Sequence, residues 1–122
     1  MAKDAETKIH EIKDFVKKYC EERDWDQFHG AKELAVALII EAAELLEHFR
    51  FKSDKEVEAL FKNPEKREHI EDEIADVLYF LTRLAQKYDI DLAEAFERKM
   101  KKSAKKYPIE KARGSNKKYT EF

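Results

Sequence analysis

Apolar residues recur at helical spacing through most of this chain. They lie three or four positions apart in long stretches, which is the repeat of one face of an α-helix. The pattern predicts helices from residue 4 or 7 to 22, over 31–51 and over 64–88. The second helix is apolar nearly all round between Leu34 and Leu46, so we expect it to be the central helix.

Capping signals divide the rest of the chain. Ser-x-x-Glu at Ser53 and Asp-x-x-Glu at Asp91 are capping boxes that predict a short third helix and a fifth helix. Asn63 followed by Pro64 is a good start for the long fourth helix. Pro108 is expected to end the fifth helix, and no helical repeat follows it.

Composition agrees with a helical protein of one domain. The chain has 122 residues, of which 2 are Gly and 2 are Pro, while 43% are charged. We therefore predict an all-α fold, a bundle of four main helices plus a short one. Residues 1–108 would form the domain and residues 109–122 a basic C-terminal arm. The apolar surface exceeds what one bundle of this size can cover, which predicts a homo-oligomer, a dimer or a tetramer built as a dimer of dimers.

Several classes of protein are disfavoured. Cys20 is the only cysteine, so no internal disulfide can form, and the residues after Met1 lack an apolar signal core. The longest apolar run, Leu34 to Ile40, is too short for a membrane span. The sequence predicts a soluble, cytoplasmic protein with no membrane partner.

The net charge of −2 hides a basic stretch near the C-terminus. Residues 98–118 carry ten Lys or Arg and one acid, Glu110. A solvated helix and tail is the ordinary interpretation of such a run. An arm that binds the anionic part of a metal–triphosphate complex is the functional one. Nucleic acid is disfavoured as a partner because aromatic residues are not interleaved with the bases.

Two acidic pairs with the same spacing are the strongest chemical signal. Glu41 and Glu44 lie within an apolar run, and Glu73 and Asp76 lie beside Ile74 and other apolar residues. Residues three apart share a helix face, so each pair directs two carboxylates the same way. Buried carboxylates are costly unless they are paired or bind a metal. Four on facing helices would suit Mg²⁺ or Mn²⁺.

Two other functions compete with a metal-dependent enzyme. The chain can be a non-catalytic helical interaction module whose acidic residues are structural. A di-iron bundle needs Glu-x-x-His pairs. His48 lies four residues after Glu44, so the spacing disfavours that class.

A loop rich in aromatic residues precedes the second helix. It contains Trp25, Phe28 and His29 and ends at Gly30, which allows the backbone to turn into the helix. Large aromatic side chains in a loop either pack back on the protein or contact a ligand. The position of this loop, just before the first acidic pair, favours a role beside the metal.

Taken in order, these segments resemble a known family. The motifs are Arg23-Asp24-Trp25-Asp26-Gln27-Phe28-His29, Glu41-x-x-Glu44, Phe49-Arg50-Phe51, Glu73-x-x-Asp76-Val77-Leu78, Lys106-Tyr107-Pro108, Ala112-Arg113-Gly114-Ser115 and Lys118-Tyr119-Thr120. The set resembles the MazG-like, all-α nucleoside triphosphate pyrophosphohydrolases, and within them the dCTP pyrophosphatase branch. The resemblance covers about residues 20–120.

The resemblance implies an activity and a site. The family cleaves a nucleoside triphosphate between the α- and β-phosphates with Mg²⁺ held by its acidic pairs. By resemblance the catalytic and metal-ligating residues are Glu41, Glu44, Glu73 and Asp76. The implied substrate-binding residues are Trp25, His29, Phe51, Phe80, Lys99, Ser103, Lys106, Tyr107, Lys118 and Tyr119.

Three of those positions depart from the branch. Phe51 stands where Trp is frequent, Phe80 where Tyr is frequent, and Ser103 where Asn is frequent. All three lie outside the acidic pairs. They leave the base preference and the exact phosphate contacts open.

Overall fold

Helices are the regular elements of residues 3–122, the part of the chain that the computed structural model describes. The all-α prediction is confirmed; Met1 and Ala2 lie outside the described residues. The α-helices are α1 (Ile9–Glu22), α2 (Ala31–Glu47), α3 (Asp54–Leu60), α4 (Pro64–Lys87), α5 (Leu92–Lys106) and α6 (Ile109–Ala112). Short 3₁₀ turns occur at Asp4–Glu6, Asp26–Phe28 and Tyr119–Glu121.

The predicted capping residues begin their helices. The Ser53 hydroxyl accepts a hydrogen bond from the Glu56 amide at 3.2 Å, and the Glu56 carboxylate accepts one from the Ser53 amide at 3.0 Å. Asn63 and Asp91 each accept a hydrogen bond from the amide three residues on, at 3.1 and 2.9 Å. These bonds satisfy amides that the first helical turn leaves unpaired.

The helices differ from the prediction in three places, the first being that α1 begins at Ile9 and not at residue 4 or 7. α2 ends at Glu47 instead of near Phe51, which has a φ of +63° in the left-handed region. A residue in that region stops a helix, and the apolar pattern that continued through Phe49 and Phe51 gave no sign of it. The last fourteen residues contain the four-residue helix α6, where the sequence predicted no helix.

The described chain divides into two compact units, residues 3–89 and 90–122. In the first unit α4 packs on both α1 and α2. The prediction that the second helix is central was therefore wrong: Leu34 is the buried residue of α2, while Ile39 on the same helix is 68% exposed. When apolar side chains occur all round a helix, the sequence does not show which of them pack against other parts of the same chain.

Among residues 3–122, no helix combines the length and apolar character that a membrane span requires. The predicted domain boundary at residue 108 and the cytoplasmic location stay predictions.

Candidate active site

Carboxylates from two helices meet on one side of the first unit. Glu41 on α2 and Glu73 and Asp76 on α4 each place an oxygen within 4.8 Å of the others. The Glu44 carboxyl interacts with those of Glu41 and Glu73. The packing of α2 on α4 therefore brings together both acidic pairs that the sequence singled out. We call these four residues the acidic cluster.

The acidic cluster has too few hydrogen-bond donors for its oxygens. Glu41 Oε2 and Glu73 Oε2 are inaccessible to solvent and accept no hydrogen bond. Burial, together with the neighbouring carboxyls, raises the pKa of Glu41 to about 7, and the same causes raise the pKa of Glu73. A divalent cation that prefers oxygen ligands would satisfy these atoms and neutralise their repulsion, so the residues fit such an ion.

His48 lies at the edge of the acidic cluster. Its Nε2 atom is 3.9 Å from Glu73 Oε1, which is beyond hydrogen-bond distance but close enough for electrostatic attraction. The charge of His48 partly opposes the rise in the pKa of Glu73. The sequence analysis used His48 only to disfavour a di-iron site. Its position four residues after Glu44 was the signal that it shares that helix face.

An aromatic cleft adjoins the acidic cluster. The cleft has a volume of about 500 Å³. Its lining combines two carboxylates with the aromatic rings of α1, α4 and the loop before α2: Phe15, Tyr19, Trp25, Glu41, Ala75, Asp76, Tyr79 and Phe80. One wall is therefore acidic, and the others present flat apolar faces. This arrangement can hold a cation and a planar ring side by side.

Edge-to-face contacts hold the aromatic walls in place. The Tyr19 ring centroid is 5.8 Å from that of Trp25 and 5.9 Å from that of Tyr79. The Tyr79 hydroxyl and the buried Cys20 sulfur are 3.2 Å apart and share a hydrogen bond. Burial raises the pKa of Tyr79, so its hydroxyl stays protonated. Tyr79 therefore presents its ring to the cleft while its hydroxyl is used inside the protein.

Comparisons with known proteins agree with this site. The sequence model of the MazG-like family matches residues 36–122. Over 117 residues the chain is 37% identical to dCTP pyrophosphatase 1 of Rattus norvegicus and to that of Homo sapiens, covering 96% of this chain and 69% of each relative.

This chain belongs to the MazG-like family. A solved structure is similar as well. A pyrophosphatase from Archaeoglobus fulgidus superposes with a TM-score of 0.73 at 40% identity, over 82% of this chain and 92% of that one. The resemblance that the motifs indicated is thus confirmed for the family.

Two of the substrate-binding residues that the family resemblance implied lie in the aromatic cleft. Trp25 and Phe80 line it together with Glu41 and Asp76. His29 is not among the lining residues, but its ring centroid is 6.2 Å from that of Trp25. Their roles toward a substrate stay predictions.

Phe51 is placed differently. It is 91% exposed beyond the end of α2, and the Arg50 guanidinium lies 4.4 Å from its ring centroid. The first unit therefore does not bring Phe51 to the aromatic cleft.

Three aromatic members of the cleft were not predicted from the sequence. Phe15 and Tyr19 fall on the apolar stripe of α1, whose helical spacing by itself indicates core packing, yet Phe15 is 57% exposed, and both residues line the cleft. Tyr79 also lines the cleft, whereas the family resemblance implied only its neighbour Phe80. The aromatic character of these positions was the available signal of a ligand site, because aliphatic residues would have served equally well for core packing.

The remaining predicted residues lie in the second unit, which is described by itself. Lys99, Ser103 and Lys106 belong to α5. Tyr107 packs edge-to-face on Tyr119 at 5.8 Å, and the Lys106 ammonium lies 4.8 Å from the Tyr119 ring centroid. Lys106, Tyr107 and Tyr119 therefore lie close together within the second unit. Lys118 begins the 3₁₀ turn that carries Tyr119. Contacts of all these residues with phosphate stay predictions from the family resemblance.

Proposed function

We propose that this protein is a Mg²⁺-dependent pyrophosphohydrolase whose substrate is dCTP or a modified dCTP. Nucleotide pyrophosphohydrolase activity follows from membership of the MazG-like family and from its similarity to pyrophosphatases. The identity of the metal and the identity of the base are what we propose in addition. In the reaction, water adds across the bridge between the α- and β-phosphates, giving the nucleoside monophosphate and pyrophosphate.

The adjacency of the acidic cluster and the aromatic cleft carries the proposal. Glu41 and Asp76 belong to both. A nucleoside triphosphate has a polyanionic end that needs a cation and a flat base that needs apolar faces. In the substrate a single sugar joins these two parts, and in the site the two regions share Glu41 and Asp76. An interaction module with merely structural acids would have no reason to leave buried carboxylate oxygens without donors.

Glu41, Glu44, Glu73 and Asp76 are the proposed metal ligands. A site whose ligands are all oxygen atoms suits Mg²⁺ better than zinc, and Mn²⁺ is the second choice. When bound, Mg²⁺ supplies charge neutralisation on the phosphates and activation of water. The chain's own contribution is to hold four carboxylates on two packed helices, so that the ion's position is fixed before the substrate arrives.

The aromatic cleft is the proposed base site. Trp25 and Phe80 offer flat faces on which a base stacks, at about 1–3 kcal/mol for each base in proteins that bind single strands. Tyr79 adds a third ring. A cytosine base is proposed because relatives covering nearly the whole chain are dCTP pyrophosphatases.

Pyrophosphate release from a panel of nucleotides tests this function. The four dNTPs, the four NTPs and 5-methyl-dCTP are incubated with enzyme in Mg²⁺, in Mn²⁺ and in a chelator. We expect release that requires the metal and is fastest with dCTP or 5-methyl-dCTP. Release that persists in chelator would contradict the metal assignment, and a preference for a purine would contradict the base assignment.

We also propose that the protein is a homo-oligomer, a tetramer built as a dimer of dimers. Apolar side chains on α2 and α4 stay uncovered in one chain: Ile39 is 68% exposed, Leu46 60% and Ile74 50%. Such surface normally marks an interface. Light scattering on the wild type and on Ile39→Glu tests this, with a tetramer expected for the first and a smaller species for the second. A wild-type monomer at micromolar concentration would contradict it.

A further inference from the structure

A buried guanidinium joins α4 to the loop before α2. Arg83 is 1% exposed and is the largest fully buried side chain of residues 3–122. Its Nη2 donates to Asp26, its Nε donates to His29 Nδ1 at 2.9 Å, and its Nη1 donates to Gln86. A buried charge is costly unless its donors find acceptors, and here each guanidinium nitrogen has one. Two of the three acceptors come from the loop.

Two further contacts tie the same loop to the end of α4. Lys87 Nζ donates to the Asp26 carbonyl at 2.6 Å, and the Ala31 amide donates to the Tyr88 hydroxyl at 2.8 Å. Trp25, the cleft residue that the loop carries, immediately precedes Asp26. The position of Trp25 therefore depends in part on whether the loop stays attached to α4, in addition to its edge-to-face contact with Tyr19.

The contact with Arg83 also decides where His29 carries its proton. A guanidinium is always charged and only donates, so the Nδ1 that accepts from it has no proton. Burial, and then the charges of Arg83 and Lys87, lower the pKa of His29. The ring is therefore neutral at pH 7, with its proton on Nε2. Nε2 is then a hydrogen-bond donor on a ring whose centroid lies 6.2 Å from that of Trp25.

We propose that Arg83 is a positioning residue of the nucleotide site, which holds the loop carrying Trp25 against α4 and fixes His29 as the tautomer protonated on Nε2. This inference rests on the proposed function. Arg83 itself does not line the aromatic cleft, so it acts through the loop and not on the substrate. A purely structural arginine would affect the melting temperature and leave the site unchanged.

Steady-state kinetics separates these two roles. The variants are Arg83→Met and Arg83→Lys, and the control is Arg67→Met, which removes the same charge from an exposed position of α4. For both Arg83 variants we expect the KM for dCTP to rise about fivefold or more, because part of the stacking on Trp25 is lost, while kcat stays within about threefold. Lysine is expected to fail because one ammonium cannot replace three guanidinium nitrogens. An unchanged KM in a folded Arg83 variant would overturn the proposal.

A second measurement needs no turnover. Trp25 is the only tryptophan, so its emission maximum and its quenching by acrylamide report on the loop. In Arg83→Met we expect a red shift and stronger quenching without ligand. The ¹⁵N chemical shifts of the His29 ring are expected to change from values typical of the tautomer protonated on Nε2 to values typical of a mixture of both tautomers. Unchanged emission and an unchanged tautomer would overturn the proposal.

A milder variant protects the test against misfolding. Asp26 is 56% exposed at its side chain, so Asp26→Asn keeps the core and an acceptor while removing the charge that faces Arg83. It is expected to shift KM and Trp25 emission in the same direction as Arg83→Met but less. If Arg83→Met fails to fold, wild-type values in Asp26→Asn overturn the proposal. If the wild type releases no pyrophosphate, the proposed function fails, and the fluorescence and tautomer of the Arg83 variants still decide the role of Arg83.

Discussion

Two polar clusters lie on the same face of α4, and their electrostatics are opposite. In the acidic cluster, which includes Asp76, burial and then the neighbouring carboxyls raise the pKa of Glu41 to about 7. Seven residues further along, about two helical turns, Arg83 meets Asp26 in a matched pair. The hydrogen bond from Arg83 is the main reason that the pKa of Asp26 is lowered. The acidic cluster thus lacks partners for some of its atoms, whereas the charges of Arg83 and Asp26 are matched.

This difference distinguishes a site that can bind a ligand from a set of contacts that holds a loop in place. Buried polar atoms in proteins are nearly always satisfied, so the unpaired Glu41 and Glu73 oxygens indicate that something from outside completes them. Each guanidinium nitrogen of Arg83, in contrast, donates to an acceptor from the chain itself. The aromatic cleft lies between, since Tyr79 and Phe80 fall within the two turns that separate the clusters.

Neutralising one carboxylate of the acidic cluster is expected to have the largest effect. Glu44→Gln and Asp76→Asn should lower turnover by at least about a hundredfold, because loss of an outer-shell partner alone costs 10–100-fold at metal sites. The metal-free variants should melt at the same temperature or higher, since like-charge repulsion falls. Pyrophosphate release and thermal melting by circular dichroism measure both.

Glu68→Gln is the matched control for these variants. It removes a carboxylate from an exposed position of α4 outside the acidic cluster and should leave turnover unchanged. Wild-type rates in Glu44→Gln or in Asp76→Asn would remove that residue from the metal ligands.

Removing the aromatic face is expected to have the next largest effect. Trp25→Ala should raise the KM for dCTP by the equivalent of about 1–3 kcal/mol, and turnover at saturation should stay within about tenfold because the acidic cluster is untouched. Phe28→Ala is the control from the same loop, since Phe28 is 63% exposed and does not line the cleft. A lower melting temperature with an unchanged KM would make Trp25 a packing residue only.

The capped helix starts, and the shared helix face within each acidic pair, followed from the sequence because both depend on local spacing. Capping residues fix their own helix starts, and a three-residue interval fixes a shared helix face. The contact of Arg83 with Asp26 spans 57 residues, and no local pattern marks it. Likewise, the apolar stripe of the first helix could not distinguish Phe15, which lines an open cleft, from Val16, which is buried.

Metal and pH should act oppositely on stability. Because the folded-state pKa of Glu41 is about 7, above its usual value, the metal-free fold holds a proton that the unfolded chain releases. Its melting temperature should therefore fall as pH rises from about 5 to about 7. Millimolar Mg²⁺ competes with that proton, so its stabilising effect should grow over the same range. Calorimetry with and without Mg²⁺ measures this, with Na⁺ at equal ionic strength as the control. A Mg²⁺ effect independent of pH would contradict the assignment of the proton to the acidic cluster.

The smallest effect is expected from Tyr79→Phe, which tests whether the cleft uses the ring or the hydroxyl. The hydroxyl is bonded to the Cys20 sulfur at 3.2 Å, and a thiol is a weak partner, so its loss should cost about 1 kcal/mol of stability or less. That is a fall of a few degrees, about 5 °C at most, in melting temperature. KM for dCTP should stay within about twofold, because Phe presents the same face as Tyr. Tyr79→Ala, which removes the ring, should raise KM as Trp25→Ala does. A large rise in KM for Tyr79→Phe would mean that the hydroxyl leaves Cys20 and contacts the substrate, which would make this part of α4 responsive to the ligand, like the acidic cluster and unlike Arg83.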